Sequence, residues 1–448
     1  MSKKPNLVFI LADDLGVRDL GCYGSDFHET PNLDRLASEG VRFTNAYASH
    51  PVCGPSRSAI MSGRSPIALQ LDGVNGSLVN AGVVWPKVLQ DAGYKNHFFG
   101  KWHMGERETV LANGFHYNIG GHAEGQPASY YYPYRGIPGS QTVPMKQSVP
   151  DMDDGQPGDY LTDKLTDKVL NFIETHQDEP FLLYLSYYQT HKPACAPAQG
   201  KKEWVDYYKQ KLASMQEPES PTTRKVAHGS AQGIESLVQR NPEFAGQLAS
   251  LDENIGRVMN KLEQLNLTND TIVIFTADQG SVCISKEGME EYLVSSQAPY
   301  RLGKAWLFEG GLRVPLIVRW PGKQAKDSIN DTVTFNTDLY PTILEMLGLP
   351  LNPEQHTEGV SITKAIRGER MRLDRSFIWK YNRRHDAYGY LPSAAIRRGD
   401  YKLIYWMQDE HMELYNVAQD IGEEHDLRAE DPQLTQELLQ ELLHTLQK

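Results

Sequence analysis

A thiol at the mouth of a helix opens the chemistry of this sequence. Cys53-Gly54-Pro55-Ser56-Arg57 sets a cysteine two residues before a proline, which suits the first turn of a helix. Arg57 stands four residues on, so a helix starting here brings its guanidinium to the face of Cys53. The positive helix end and that fixed cation favour an anion beside the thiol. The same residues also suit a small buried hydrophobe ahead of a proline-started helix. Asp13-Asp14 are hard, oxygen-rich ligands for Ca²⁺ or Mg²⁺, with a solvated turn as the bland alternative. Lys101 and His103, in Gly100-Lys101-Trp102-His103, point to one side of an extended segment, an anion clamp beside a general base. His191, within Thr190-His191-Lys192-Pro193, and Asp278-Gln279 add a second histidine and a further carboxylate from far along the chain.

These side chains follow apolar runs. Asn6–Ala12, 181–188 and 271–276 read as strands buried on both faces of a parallel sheet. Residues at the carboxyl ends of such strands fall where open α/β sheets take their ligands. Between the strands lie helices. One is opened by Thr30 as N-cap and Pro31, carries Leu33 and Leu36, and closes at Gly40. Others cover 86–91, 159–176 and 244–265, the last with apolar residues in alternating steps of four and three. The expected fold class is therefore α/β. Residues 106–157 read as a long insertion and 200–233 as an exposed polar excursion. Past about residue 365 the pattern shifts to short strands, with Gly399-Asp400 as a two-residue hairpin turn and a leucine-rich terminal helix. Two domains are expected, 1–365 and 366–448.

Composition narrows the function classes. With 40% hydrophobic and 23% charged residues the chain is an ordinary globular protein. A net charge of −12 argues against nucleic acid or an anionic membrane as the main partner. An anionic substrate would need a local cluster of cations against that background. Four scattered cysteines, without a Cys-x-x-Cys pair, indicate neither a zinc site nor a disulfide framework. No apolar run is long enough to span a bilayer. Met1 to Pro5 lead straight into a strand without a secretory signal. The expected location is periplasmic or extracellular if an export signal has been removed, and otherwise cytoplasmic.

Cys-x-Pro-Ser-Arg followed by Ser62-Gly63-Arg64 resembles the signature of the type I sulfatases, in the alkaline phosphatase-like superfamily. The other short motifs recur in that family's order: Asp13-Asp14, Gly-Lys-Trp-His, His191, Asp278 and, after Gly303, Lys304. The resemblance implies a large mixed, mostly parallel sheet sandwiched by helices, with a smaller C-terminal α+β domain on an antiparallel sheet. It implies that Cys53 is oxidised to formylglycine, whose hydrated aldehyde is the nucleophile, by a formylglycine-generating or anaerobic maturation enzyme. Asp13, Asp14, residue 53, Asp278 and Gln279 then hold a divalent metal, Ca²⁺ or Mg²⁺. Gln279 departs from the family's usual Asn or His by a longer stem. Arg57, Lys101, His103, His191 and Lys304 are the implied catalytic residues.

The expected activity is hydrolysis of sulfate monoesters on a sulfated saccharide. Alternatives are an arylsulfatase, a phosphonate or phosphodiester hydrolase, and a non-catalytic sulfated-glycan binder in which Cys53 stays a thiol. Tyr134 and Arg135, in the aromatic run from Tyr130, and Arg383, Arg384 and His385 are candidates for the substrate rim, as stacking and anion-binding side chains.

Overall fold

A computed structural model describes residues 4–136, 148–196, 198–228, 231–383 and 391–447. Its core is an eight-stranded sheet in the order Ser328–Asn330, Val41–Phe43, Leu316–Arg319, Thr271–Ala277, Asn6–Ala12, Phe181–Ser186, Lys95–Gly100, Tyr117–Ile119. Asn6–Ala12 runs parallel to both neighbours, and only Leu316–Arg319 opposes the strands beside it. Every residue of Asn6–Ala12, Phe181–Ser186 and Thr271–Ala277 is buried, as the continuous apolar runs require. Helices Pro31–Glu39, Leu161–Thr175 and Pro242–Gln264 pack together in one layer, and Cys53–Ser62, Trp85–Asp91 and Leu339–Met346 form a second group.

Register gathers the chemistry. Ala12 pairs with Ala277, and Leu11 with Ser186, which pairs in turn with Gly100. Asp13, Asp278, Ser186 and Lys101 therefore emerge side by side at the carboxyl edge of the sheet. One glycine is fixed by close approach: a Cβ on Gly40 would lie 2.4 Å from the carbonyl oxygen of Val318.

Several expectations change. The helix at Pro31 is not capped by Thr30, whose hydroxyl donates to Asp34 Oδ1 at 3.0 Å. The Asp252 carboxylate on helix Pro242–Gln264 accepts from the free backbone nitrogens of Asn32 and Leu33 at 3.0 and 2.8 Å. A cap borrowed from a residue 220 positions away has no local sequence signal. The region 106–157 contains helix Arg107–Ala112 and the edge strand Tyr117–Ile119. The stretch 200–233 forms helix Lys202–Ser214 and most of an antiparallel strand pair, Thr223–His228 with Ala231–Ser236.

Toward the C-terminus, Ser376–Tyr381, Ser393–Arg398, Tyr401–Trp406 and His411–Asn416 form an antiparallel meander. Gly399 takes a φ of 61° at the first position of the two-residue turn, the conformation that selects glycine there. Helix Pro432–Leu446 buries Leu438 and Leu442 against Ile396, Leu403 and Leu414.

Candidate active site

Asp13 and Asp14 leave the central strand and diverge. Asp13, fully buried, receives the Lys101 ammonium at 2.6 Å on Oδ2 and lies 3.6 Å from Arg57 through Oδ1. Asp14 turns the backbone with a φ of 55°, and Lys304 Nζ lies 2.7 Å from both of its oxygens. Asp278 anchors Arg57, whose Nε donates to Oδ2 at 2.8 Å. Three carboxylates thus face three cations in an otherwise acidic protein, the local cluster that an anionic substrate requires.

The helix Cys53–Ser62 docks onto this edge through polar side chains. Ser56 Oγ donates to the Asp278 carbonyl at 2.6 Å and accepts from Asn336 Nδ2 at 3.0 Å. Arg57 Nη1 donates to the Lys101 carbonyl and to Ser186 Oγ, at 2.9 and 2.6 Å. The Cys53 sulfur and one oxygen each of Asp13 and Asp278 consequently lie within 4.8 Å of one another. A Cβ on Gly54 would fall 2.2 Å from the Gly76 nitrogen, so the loop over the helix mouth requires a glycine.

Lys101 and His103 follow a strand that ends at Gly100, and His103 takes a φ of 59°. Its ring packs over Gly125, where a Cβ would sit 2.8 Å from Cε1, and its Nδ1 is buried without a partner. His191 Nδ1 bonds to the Lys192 carbonyl at 2.8 Å, which leaves Nε2 at 3.5 Å from Asp14 Oδ2. Burial, then the charges of Lys101 for His103 and of Lys304 for His191, hold both imidazoles well below the usual histidine range. Burial works against the Lys304 ammonium, yet Asp14 holds its pKa above the ordinary lysine value. Burial, followed by the Asp13 charge, pushes Asp278 up to about 6, and burial also raises Asp14 and the Cys53 thiol.

The donor set suits a hard dication. Asp13 Oδ1 and Gln279 Oε1 are buried with no hydrogen-bond partner, and both belong to the residues expected to ligate metal. Asp14 and Asp278 supply further oxygens, and the longer Gln279 side chain reaches far enough to contact Asp14 Oδ1. Asp14 and Asp278, whose protons burial holds more tightly, are best relieved by a multivalent cation.

Other expected residues lie elsewhere. Tyr134 is buried, with its ring edge-on to Tyr132, and Arg135 pairs with Asp153 on the surface. In that aromatic run it is Tyr130 that bears on the site, donating from Oη to the carbonyls of Tyr188 and His191 at 2.7 and 2.8 Å. Arg383 is exposed beside Gly73, and its neighbour Asn382 contacts Asp72 at 3.4 Å. Arg384 and His385 lie outside the described residues. Glu309 and Arg313 pair with each other at 2.7 Å and hold their own loop. Ser186, Ser56 and Asn336 were not legible as site residues, since serine and asparagine carry no signal until the register aligns them.

Fold and site together define a hydrolase of anionic esters in the alkaline phosphatase-like superfamily. A family model described as Sulfatase matches residues 5–349, and one described as N-sulphoglucosamine sulphohydrolase, C-terminal, matches 301–448. The chain is 27% identical to the N-acetylgalactosamine-6-O-sulfatase of Bacteroides thetaiotaomicron, covering 99% of this chain and 93% of that protein. It is 26% identical to human steryl-sulfatase, over 85% of this chain and 72% of that protein. Among solved structures it resembles Ps i-CgsB in complex with k-i-k-neocarrahexaose, at 25% identity and a TM-score of 0.79, covering 99% of this chain and 93% of that one. The chain belongs to the sulfatase family and is a sulfuric ester hydrolase. Sulfatases generally use a metal and a formylglycine. No helix among the described residues is long and apolar enough to cross a membrane.

Proposed function

We propose that this sulfatase removes O-sulfate from a sulfated carbohydrate, with residue 53 as formylglycine and a divalent cation, Ca²⁺ ahead of Mg²⁺, beside it. The observation that carries the site is the approach of Cys53 Sγ to Asp13 and Asp278 within 4.8 Å, ringed by Arg57, Lys101 and Lys304. Asp13, Asp14, Asp278 and Gln279 would hold that dication, which would supply Lewis acidity to the reaction. A maturation enzyme that oxidises the thiol to an aldehyde is the implied partner.

The chain's own groups then divide the work. Arg57, Lys101 and Lys304 place fixed positive charge where the transition state gathers negative charge. His103 is neutral and has a free Nδ1, so it serves as the base that takes a proton from the hydroxyl of residue 53. His191 spends its Nδ1 proton on the Lys192 carbonyl, so in the neutral ring Nε2 accepts and does not donate. That leaves Lys304, kept charged by Asp14, to protonate the departing sugar oxygen.

The carbohydrate assignment draws support from the Bacteroides relative and from the neighbour that holds a neocarrahexaose. Such polysaccharide-derived substrates lie outside the cell membrane, which would make this an exported enzyme. The match to a steryl-sulfatase favours a second reading, an aryl or steroid sulfate ester. Sulfate release from defined sulfated oligosaccharides, run beside 4-nitrophenyl sulfate and its phosphate and phosphonate counterparts, separates these. Release from sugars alone or at the highest kcat/KM supports the proposal, and turnover confined to the aryl ester or to phosphorus esters rejects it. The mass of the peptide containing residue 53 tests conversion, since an unconverted thiol would leave a binding protein.

A further inference from the structure

Beyond the groups that grip the scissile sulfate stands a fourth cation, Lys192, directly after His191. Its ammonium lies 5.4 Å from the centre of the Tyr292 ring. No carboxylate of a described residue is within ion-pair distance of it, although Lys101 and Lys304 each own one. Lys192 is only partly buried, whereas Lys101 is fully enclosed. Following His191 in the chain, it lies close enough to the site for the charges of Lys304 and Asp14 to act on it. Burial and then the Lys304 ammonium depress its pKa, an effect that the charge of Asp14 only partly offsets, so it has a like charge beside it and no carboxylate of its own. An exposed lysine would dissipate that repulsion in water. A partly buried one held over an aromatic face is a cation without its anion.

We infer that Lys192 and Tyr292 form a subsite for a second anionic group on the saccharide, a carboxylate or a further sulfate on or next to the sugar that bears the scissile ester. Tyr292 offers a ring face for the sugar, and Lys192 fixes the second charge and so the orientation of the leaving group. The inference rests on the carbohydrate reading above and narrows it to multiply charged saccharides.

Three substrates test it: a singly sulfated monosaccharide, the same sugar with a second sulfate, and the same sulfated sugar linked to a uronate. Wild type should favour at least one doubly charged substrate by about tenfold in kcat/KM over the parent, the two arms telling sulfate from carboxylate. Lys192→Ala should bring that ratio close to one, Lys192→Arg should keep most of it, and Tyr292→Ala should lower it. In the wild-type enzyme the preference should shrink as salt rises, a readout free of any folding defect. No preference in wild type, or a preference unmoved by Lys192→Ala, overturns the inference. Cleavage of an aryl sulfate but of none of the sugars overturns the carbohydrate reading and this inference with it, a result distinct from lost selectivity.

Discussion

Lys304 Nζ lies 2.7 Å from each carboxylate oxygen of Asp14, bridging the last motif of the catalytic region to the first. The pair keeps Lys304 charged in a partly buried setting, so its proton is present for the departing oxygen. Lys304→Met should lower kcat on alkyl or sugar sulfates by about a hundredfold or more, the scale of losing one preorganised donor. Esters with an activated aryl leaving group need no proton and should lose much less. Equal losses on both substrate types would rule out an acid role and leave Lys304 as a sulfate clamp.

Conversion of Cys53 is the second dependence. Cys53→Ser should keep the fold, because the helix is docked by Ser56 and Arg57 and not by the sulfur. It should bind sulfated ligands and release essentially no sulfate, since neither a hydroxyl nor a thiol can expel sulfate by reforming an aldehyde. Calorimetric binding beside a sulfate-release assay checks both halves, and turnover by the serine variant would defeat the formylglycine reading.

Strand ends were the most legible part of the site. Asp13, His191 and Asp278 each follow a recognisable apolar run and Lys101 an extended segment, and the parallel register that aligns such ends is a property of α/β sheets. The aromatic run misled because its four tyrosines between 130 and 134 look alike in sequence, and Tyr130 is the one that bonds to the carbonyls of Tyr188 and His191. Asp252 was invisible as a cap for the same reason: the donors it satisfies belong to a helix distant in sequence. Structure inside 200–233 was missed because its helix buries only Val205 and Tyr208, too few to stamp a period on the sequence.

That cap yields a stability prediction. Asp252→Ala leaves the Asn32 and Leu33 nitrogens at the buried start of Pro31–Glu39 without an acceptor. The expected cost is about 1–2 kcal/mol, read as a lower urea midpoint at unchanged slope. Thr30→Ala, by contrast, removes no cap and should cost less. Reversal of that order would return the capping role to Thr30.

Metal binding should be linked to protons. Burial and the neighbouring Asp13 hold Asp278 at about 6, so a proton competes with a cation for this carboxylate as the medium is acidified. Added Ca²⁺ at about a hundred times its Kd should stabilise the protein by about 2.7 kcal/mol at pH 7.5, and the same concentration should do less at pH 5. Chelation should remove the gain together with activity, and Asp13→Asn should weaken the response. Thermal melts across a Ca²⁺ and Mg²⁺ titration measure it, and equal responses to both ions would leave Ca²⁺ without preference.

The junction between the large sheet and the C-terminal meander carries the last prediction. Lys402, fully buried on Tyr401–Trp406, pairs with Glu309 at 2.8 Å and with Glu423 at 2.6 Å. One lysine thus serves two carboxylates, and their protonation divides. Glu309, opposed by burial but held down by Lys402 and Arg313, lies below the usual carboxylate range, while burial pushes Glu423 up to about 7 despite Lys402. Glu423 therefore holds its proton more tightly folded than unfolded. Its contribution to stability is fully present below the unfolded value of about 4.5 and is lost as pH rises through about 7. Melting between pH 5 and pH 8 should show this loss, and Glu423→Gln, which cannot ionise, should flatten it. Lys402→Met leaves Glu309 with Arg313 as its ion-pair partner and Glu423 without Lys402, and should destabilise the protein more than Glu423→Gln does at neutral pH. A pH dependence identical in wild type and Glu423→Gln would show that the proton lies elsewhere in the cluster.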